Sequence, residues 1–584
     1  MTLVLAATLA GIVLVLAGSA VAGTVRPRRF GGASEFYVAG RAVTPWSNAA
    51  AIGSEYVSAA AFLGLAGLVV AYGADMLWYP IGAAAGYVVL IALVTAPLRR
   101  SGTYTLSNFA EWRLGSFPVR RLVTFFVVFV GLVYLLPQIH GAGLTLRLLV
   151  GAPLWVGWVL VCAVVLVVSV AGGMRSITRV QALQFWLKLG ALVFCALVLF
   201  FVWRADGSPL PAAGNVPVFP KATEVVLDTR TEVGVAQRVE VNVVGTLDGQ
   251  YYGGSSVTLT PGDHVFAAGT RVMFAAGAAV PHIKGDDPEP GELWATPYSG
   301  ARDDSWFDTI SVLVAAVLGT MGLPHVLVRF YTNTDGAAAR RTVVIVLGFV
   351  GLFYLLPPLY GVLGRLYAPE VLMTGRTDET MLLLPVRMIE GPLGEVLAGV
   401  LAAGAFAAFL ATSSGIVVAL AGTLSTYLLG GGVASFRTAA AGVLAVALGL
   451  AAVVDPVGSP LLVMLVFAVS AATLCPLLVL GIWWRRLSTA GVAAGLVSGG
   501  GLSVAAVILG WLDPPWLQGR WTSLMQHPAL ITVPVAFAVM VGVSLLTPGR
   551  VPPGVGRMMA LLHVPEGRAT YPSDRSSRED DRSP

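Results

Sequence analysis

Glu55 stands inside an apolar run from Thr44 to Tyr72, in the stretch Asn48-Ala-Ala-Ala-Ile-Gly53-Ser54-Glu55-Tyr56-Val57-Ser58-Ala-Ala-Ala-Phe62-Leu-Gly64. A carboxylate at the centre of a membrane-spanning helix costs roughly 2.5 to 3.5 kcal/mol on insertion scales, so it calls for a polar partner or an aqueous cavity. The small residues around it let a second helix come close or let the helix open, and an opened backbone offers bare carbonyl oxygens to a cation. A second run, Gly319-Thr-Met-Gly322-Leu-Pro324-His325, has the same helix-breaking composition. Gln138, in Leu136-Pro-Gln138-Ile-His140-Gly141, is suited either to lining a cavity or to bonding a neighbouring helix. Thr412 and Ser413, in Leu410-Ala411-Thr412-Ser413-Ser414-Gly415, bring hydroxyls that either bond their own i−4 carbonyls or turn toward an ion. These residue types bind and release ions and small solutes. The six histidines have no metal-ligand spacing, so neither a catalytic metal site nor an organic cofactor is expected.

The elements that must position these residues are membrane helices. Mean hydropathy is +0.81, and only 11% of the 584 residues are charged against about 25% in soluble domains, so the chain reads as an all-α polytopic membrane protein. Runs of about 20 apolar residues, the length a hydrocarbon core demands, number about thirteen. They fall near 3–23, 45–71, 76–98, 121–144, 153–172, 179–203, 308–328, 342–363, 393–427, 437–454, 460–484, 489–511 and 529–547. Arg26, Arg28 and Arg29 follow the first run, which is expected to be retained and to cross from outside to inside. Arg99, Arg100, Arg113, Arg120, Arg121, Arg175, Arg179, Arg329, Arg340, Arg341, Arg485 and Arg486 then fall on the inside, with the N-terminus outside and the C-terminus cytoplasmic. The net charge of +5 is explained by this topology and implies no nucleic-acid partner. Cys162, Cys195 and Cys475 lie within spans, where small-residue packing rather than disulfides is expected.

Along the chain this gives a first helix and cytoplasmic loop at 1–44, five helices at 45–204, a polar insert at 205–305, five helices at 306–486, two additional helices at 487–548 and a disordered cytoplasmic tail at 549–584. The insert reads as a small β-rich extracellular module, with strand runs at Thr223 to Asp228, Gln237 to Val244, Ser256 to Thr260 and Arg271 to Phe274. It is expected to be accessory and replaceable by a linker, and its Asp286-Asp287-Pro-Glu289 cluster is expected to be a solvated loop rather than a calcium site. Two sets of five helices, an odd number, make the second an inverted copy of the first, with matched interrupted spans marking the binding site.

Ser34-Glu-Phe-Tyr37-Val-Ala-Gly40-Arg41, Glu55-Tyr-Val-Ser58-Ala-Ala-Ala-Phe62-Leu-Gly64, Tyr104-Thr-Leu-Ser-Asn108-Phe109, Gly172-Gly-Met174 and Gly322-Leu-Pro-His325-Val-Leu-Val-Arg329-Phe330 resemble motifs of the sodium:solute symporter family. The resemblance is greatest to its cation/acetate symporters and monocarboxylate permeases. It implies a leucine-transporter-type inverted repeat of five helices and alternating access. It also implies a sodium ion held by the carbonyls of Gly53, Tyr56 and Phe409 and the hydroxyls of Thr412 and Ser413. The substrate or ion path would include Glu55, Ser58, Ala59, Gln138, Gly322 and His325, although a helix-capping role is favoured for His325. Small, mostly apolar walls at Ser58, Ala59 and Ala60 suit a short carboxylate better than a sugar.

The expectation is sodium-coupled symport of acetate, propionate or pyruvate across a bacterial cell membrane, without enzymatic activity. Proton coupling, another solute such as proline, and a transporter-like membrane sensor are the alternatives. A small membrane partner subunit is left open.

Overall fold

A computed structural model describes residues 3–24, 38–211, 216–284, 291–297, 305–454, 459–512 and 524–564. Among the described residues, ten helices are long and apolar enough to cross a membrane, or eleven if the bent pair 306–322 and 324–330 is one span. Two of the thirteen expected runs are not counted separately by length and apolar character: Ala60–Leu93 passes as one stretch although it turns at Gly73 (φ 67°), and the first helix, Leu3–Thr24, is apolar over Thr8–Ala22.

The helix Pro45–Tyr56 opens with Pro45 at its first position and a Thr44 side chain that accepts a hydrogen bond from Ser47 N. It stops at Val57, whose ψ of 79° leaves the helical region. After a three-residue gap the chain resumes as a π-helical turn, Ala60–Gly64, and the helix Leu65–Tyr72. Leu154–Ala205 is divided at Gly173 (φ 61°) into two spans, 154–171 and 173–205. In the second half, Ser305–Gly322 and Pro324–Phe330 meet at a 45° bend. Both interrupted segments pack around Pro392–Leu428, whose residues Ala405 to Leu410 are essentially without solvent exposure and form the centre of the helical core.

Between the two halves lies an antiparallel seven-stranded sheet. Its strands are β1 (Thr223–Leu227), β2 (Thr231–Val235), β3 (Val239–Leu247), β4 (Gln250–Leu259), β5 (Gly262–Phe266), β6 (Thr270–Phe274) and β7 (His282–Ile283). The order is β1-β6-β3-β5-β2-β7, with β4 on the free side of β3 through the Asp248-Gly249 turn. Alternate residues of β1 and β6 are buried, so one face carries the apolar side chains. That face does not close on itself. Val225, Val233, Phe266 and Phe274 share one apolar cluster with Val70 and Ala71 of the interrupted first segment and with Val371, Leu372 and Met373. The insert thus packs against the helices rather than standing apart from them. The Asp286 to Glu289 cluster lies outside the described residues. Part of the tail is ordered, contrary to expectation: Val555–His563 is a short helix that buries Val555, Met559 and Leu562, and the Leu562 carbonyl accepts a hydrogen bond from Arg100.

Candidate functional site

Breaking a helix orphans backbone groups, and each must find a partner if it is buried. At Val57 to Ala59 the partners can be named. In an unbroken helix the amides of Ser58, Ala59 and Ala61 would donate to the carbonyls of Ser54, Glu55 and Val57. Instead Ser58 N donates to Tyr56 O (2.9 Å), Ala59 N to Gln138 Oε1 (2.9 Å) and Ala61 N to its neighbour's Ser58 Oγ (3.5 Å). The three released carbonyls are taken by side chains: Lys188 Nζ donates to Ser54 O (2.5 Å) and Val57 O (3.0 Å), and Thr412 Oγ1 to Glu55 O (2.8 Å). Gln138 thus holds an open backbone amide rather than lining a cavity alone. The carbonyls of Gly53 and Tyr56 already accept Val57 N and Ser58 N. Phe409 and Ser413 are buried in the neighbouring helix, and the Ser413 and Ser54 hydroxyls have no protein partner.

Glu55 has its polar partner, although not an open path. Its Oε1 receives Arg329 Nε (2.8 Å), Arg329 Nη2 (2.5 Å) and Gln181 Nε2 (2.8 Å), and both charged side chains are 0% exposed. Arg329 Nη1 also donates to Thr178 Oγ1 (2.8 Å), Arg329 Nη2 to Gln181 Oε1, and Gln181 Nε2 to Ala411 O (2.9 Å). Arg329 lies on Pro324–Phe330, so the ion pair ties that helix to Pro45–Tyr56 and both to two neighbouring helices. Gly415 makes room for it, since a Cβ there would lie 2.3 Å from Glu55 Oε1. A cleft of about 400 Å³, lined by Val43, Thr44, Ser47, Arg175, Thr178 and Arg179, reaches this network at Thr178.

On the other side of the break the lining is aromatic. Tyr56 OH pairs with Thr320 Oγ1 (3.0 Å), and its ring lies 5.0 Å from that of Tyr87 and 6.4 Å from Phe467. Tyr134 sits 5.2 Å from His325 and 6.3 Å from Phe467, and it also engages Ser58. His325 is buried, and its Nε2 has no protein partner. Gly322 packs closely on Ser470, leaving no room for a side chain. The structure thus gathers Ser58, Ala59, Gln138, Gly322 and His325 around the two breaks, while Glu55 lies in the network with Arg329 and Gln181.

Lys188, Arg329, Gln181 and Thr178 were not among the residues singled out. The signal for Lys188 was present: a lysine within the run 179–203 breaks the same rule that marks Glu55. Arg329 ends the motif that begins at Gly322, where it passed as a loop charge.

Helices of this kind, two of them interrupted at facing positions and locked by a buried ion pair, define a secondary active transporter. The chain belongs to the sodium:solute symporter family, whose model matches residues 36–208 and 279–499. It is 25% identical to the uncharacterized symporter YwcA of Bacillus subtilis, covering 86% of this chain and 87% of that one. It is 27% identical to an uncharacterized symporter of Cupriavidus necator, covering 91% and 90%. Among solved structures it is similar to a substrate-bound, outward-open sodium-coupled sialic acid symporter, with a TM-score of 0.62 at 13% identity over 92% of this chain and 98% of that one. A nucleobase-cation-symport-1 family transporter matches with a TM-score of 0.50 at 14% identity, over 90% and 97%. At such identities the likeness establishes the fold, that of leucine-transporter-type carriers.

Proposed function

We propose that this symporter uses a sodium gradient to import a small monocarboxylate, such as acetate, propionate or pyruvate, by alternating access. The observation that carries this reading is the paired interruption at Val57 to Ala59 and Gly322 to Pro324, flanked by small residues and buried aromatic rings. Small, mostly apolar walls suit a short acid and offer few groups for a polyol. Near the first break Arg329 pairs with the carboxylate of Glu55, while Lys188 donates to two backbone carbonyls. In this reading the sheet lies outside the cell, the cleft at Arg175 and Arg179 opens to the cytoplasm, and the Glu55–Arg329 network is the inner barrier that must part. Sodium is held near Thr412 and Ser413, as the family resemblance implies.

Uptake of labelled acetate, propionate, pyruvate and proline into proteoliposomes, with and without an inward sodium gradient, tests the reading. Sodium-driven accumulation of a short carboxylate is expected. Ser413→Ala, which removes a hydroxyl without a protein partner, is expected to raise the half-saturating sodium concentration about tenfold, equivalent to about 1.4 kcal/mol. Accumulation of proline alone, or uptake indifferent to sodium, would refute it.

A further inference from the structure

The first break releases the Ser54 and Val57 carbonyls, and one side chain takes both. Lys188 is 0% exposed, and its Nζ lies 2.5 Å from Ser54 O and 3.0 Å from Val57 O. Two carbonyl oxygens three residues apart converge on one point, and the unpartnered Ser54 hydroxyl belongs to the same turn. Neutral oxygens gathered in this way are what a small monovalent cation requires in exchange for its water. Here an ammonium group fills that place. A free ion and the ammonium cannot hold the same oxygens together, because like charges in contact within a poorly polarisable interior repel strongly.

We infer that Lys188 is a tethered cation that competes with free sodium for the Ser54 and Val57 carbonyls. Sodium is admitted there only when the lysine withdraws, which makes Lys188 a determinant of ion selectivity. The inference deepens the sodium-coupling reading and rests on it for its consequence in transport, but the competition itself is a property of the folded chain. A plain structural tie would predict something different. It would stabilise the break without altering ion affinity.

Equilibrium binding of radioactive sodium to the purified full chain in lipid nanodiscs, without any solute, separates the two. Lys188→Ala is expected to bind sodium at least tenfold more tightly than wild type, whereas Lys188→Arg, which keeps a tethered cation, is expected to bind it as weakly as wild type. Lys188→Met preserves packing volume and carries the same test if the alanine variant does not fold. A folded neutral variant that binds sodium no more tightly than wild type, or not at all, overturns the proposal. So does an arginine variant that gains affinity as the alanine variant does. Sodium-independent uptake by wild type would overturn the coupling reading alone, since this binding is measured without gradient or solute.

Discussion

Glu55 and Arg329 are both shut away from water, so each depends on the other for its solvation. Removing one partner of a buried pair typically costs about 3 to 5 kcal/mol because the remaining charge is left uncompensated, whereas removing both can cost little. Glu55→Gln alone is therefore expected to lower thermal stability in detergent severely, and Glu55→Gln combined with Arg329→Gln to recover much of the loss. Additive losses in this double-mutant cycle would show that the two charges are not coupled. Folding recovery need not restore transport, since the network also closes the cleft at Thr178. Glu55 was legible from its sequence because an isolated carboxylate is conspicuous in an apolar run. Its partner was not, because Arg329 lies 274 positions away and follows a run whose flanking arginines also satisfy the topology rule. The ion ligands were harder still. Which carbonyls a broken helix frees depends on where each amide turns, and the chain turns so that Ser54 and Val57 are released while Gly53 and Tyr56 stay bonded.

The interrupted segments are held by contacts at both ends. On the sheet-bearing side, the loop at Thr377–Glu379 lies against the helix Leu65–Tyr72, approaching so closely that a Cβ at Gly67 would be 2.4 Å from the Thr377 carbonyl. Glu379 is 7% exposed in this loop, and burial pushes its carboxyl up to about 7, although Arg376 nearby opposes the shift. The folded chain consequently holds a proton between about 4.5 and about 7 that an unfolded chain would release. Stability contributed by this loop is greatest at the acidic end of that window and falls as pH rises through it. A melting temperature that declines by roughly a few degrees from pH 5 to pH 7.5 is expected, with Glu379→Gln flattening that part of the profile. An identical decline in the variant would assign the effect elsewhere. The breaks themselves were readable from Gly, Ser and Pro in apolar runs, and the strand runs from alternation. The β2, β5 and β7 strands were not, since β2 and β5 do not alternate buried and exposed residues as β1 and β6 do, and β7 has only two residues.

At the scale of the whole molecule, the sheet and the helices share one apolar cluster, so the sheet bears on how the helices are held. Replacing residues 216–284 with a polar linker would expose Val70, Val371, Leu372 and Met373. Each buried side chain of this size contributes about 1.5 to 3 kcal/mol, so a loss of several kcal/mol is expected, with a lower melting temperature and weakened uptake. Unchanged stability and transport would show the shared cluster to be dispensable. The other property of the whole is the charge carried per cycle. A potential of 100 mV is worth about 2.3 kcal/mol per elementary charge, so even one net charge would make accumulation strongly dependent on voltage. Lys188 stays attached to the chain and does not leave with the cargo. If it keeps a second sodium off the Ser54 and Val57 carbonyls while the first is held near Thr412 and Ser413, one sodium accompanies one monocarboxylate anion and no net charge is delivered. Electroneutral symport is therefore expected. Proteoliposomes with a valinomycin-set potassium potential, at fixed sodium and carboxylate, provide the check: the initial rate should not depend on the potential in wild type, and should rise with an inside-negative potential in Lys188→Ala if that variant admits the second ion. A strong potential dependence in wild type would mean that more than one cation enters with each anion.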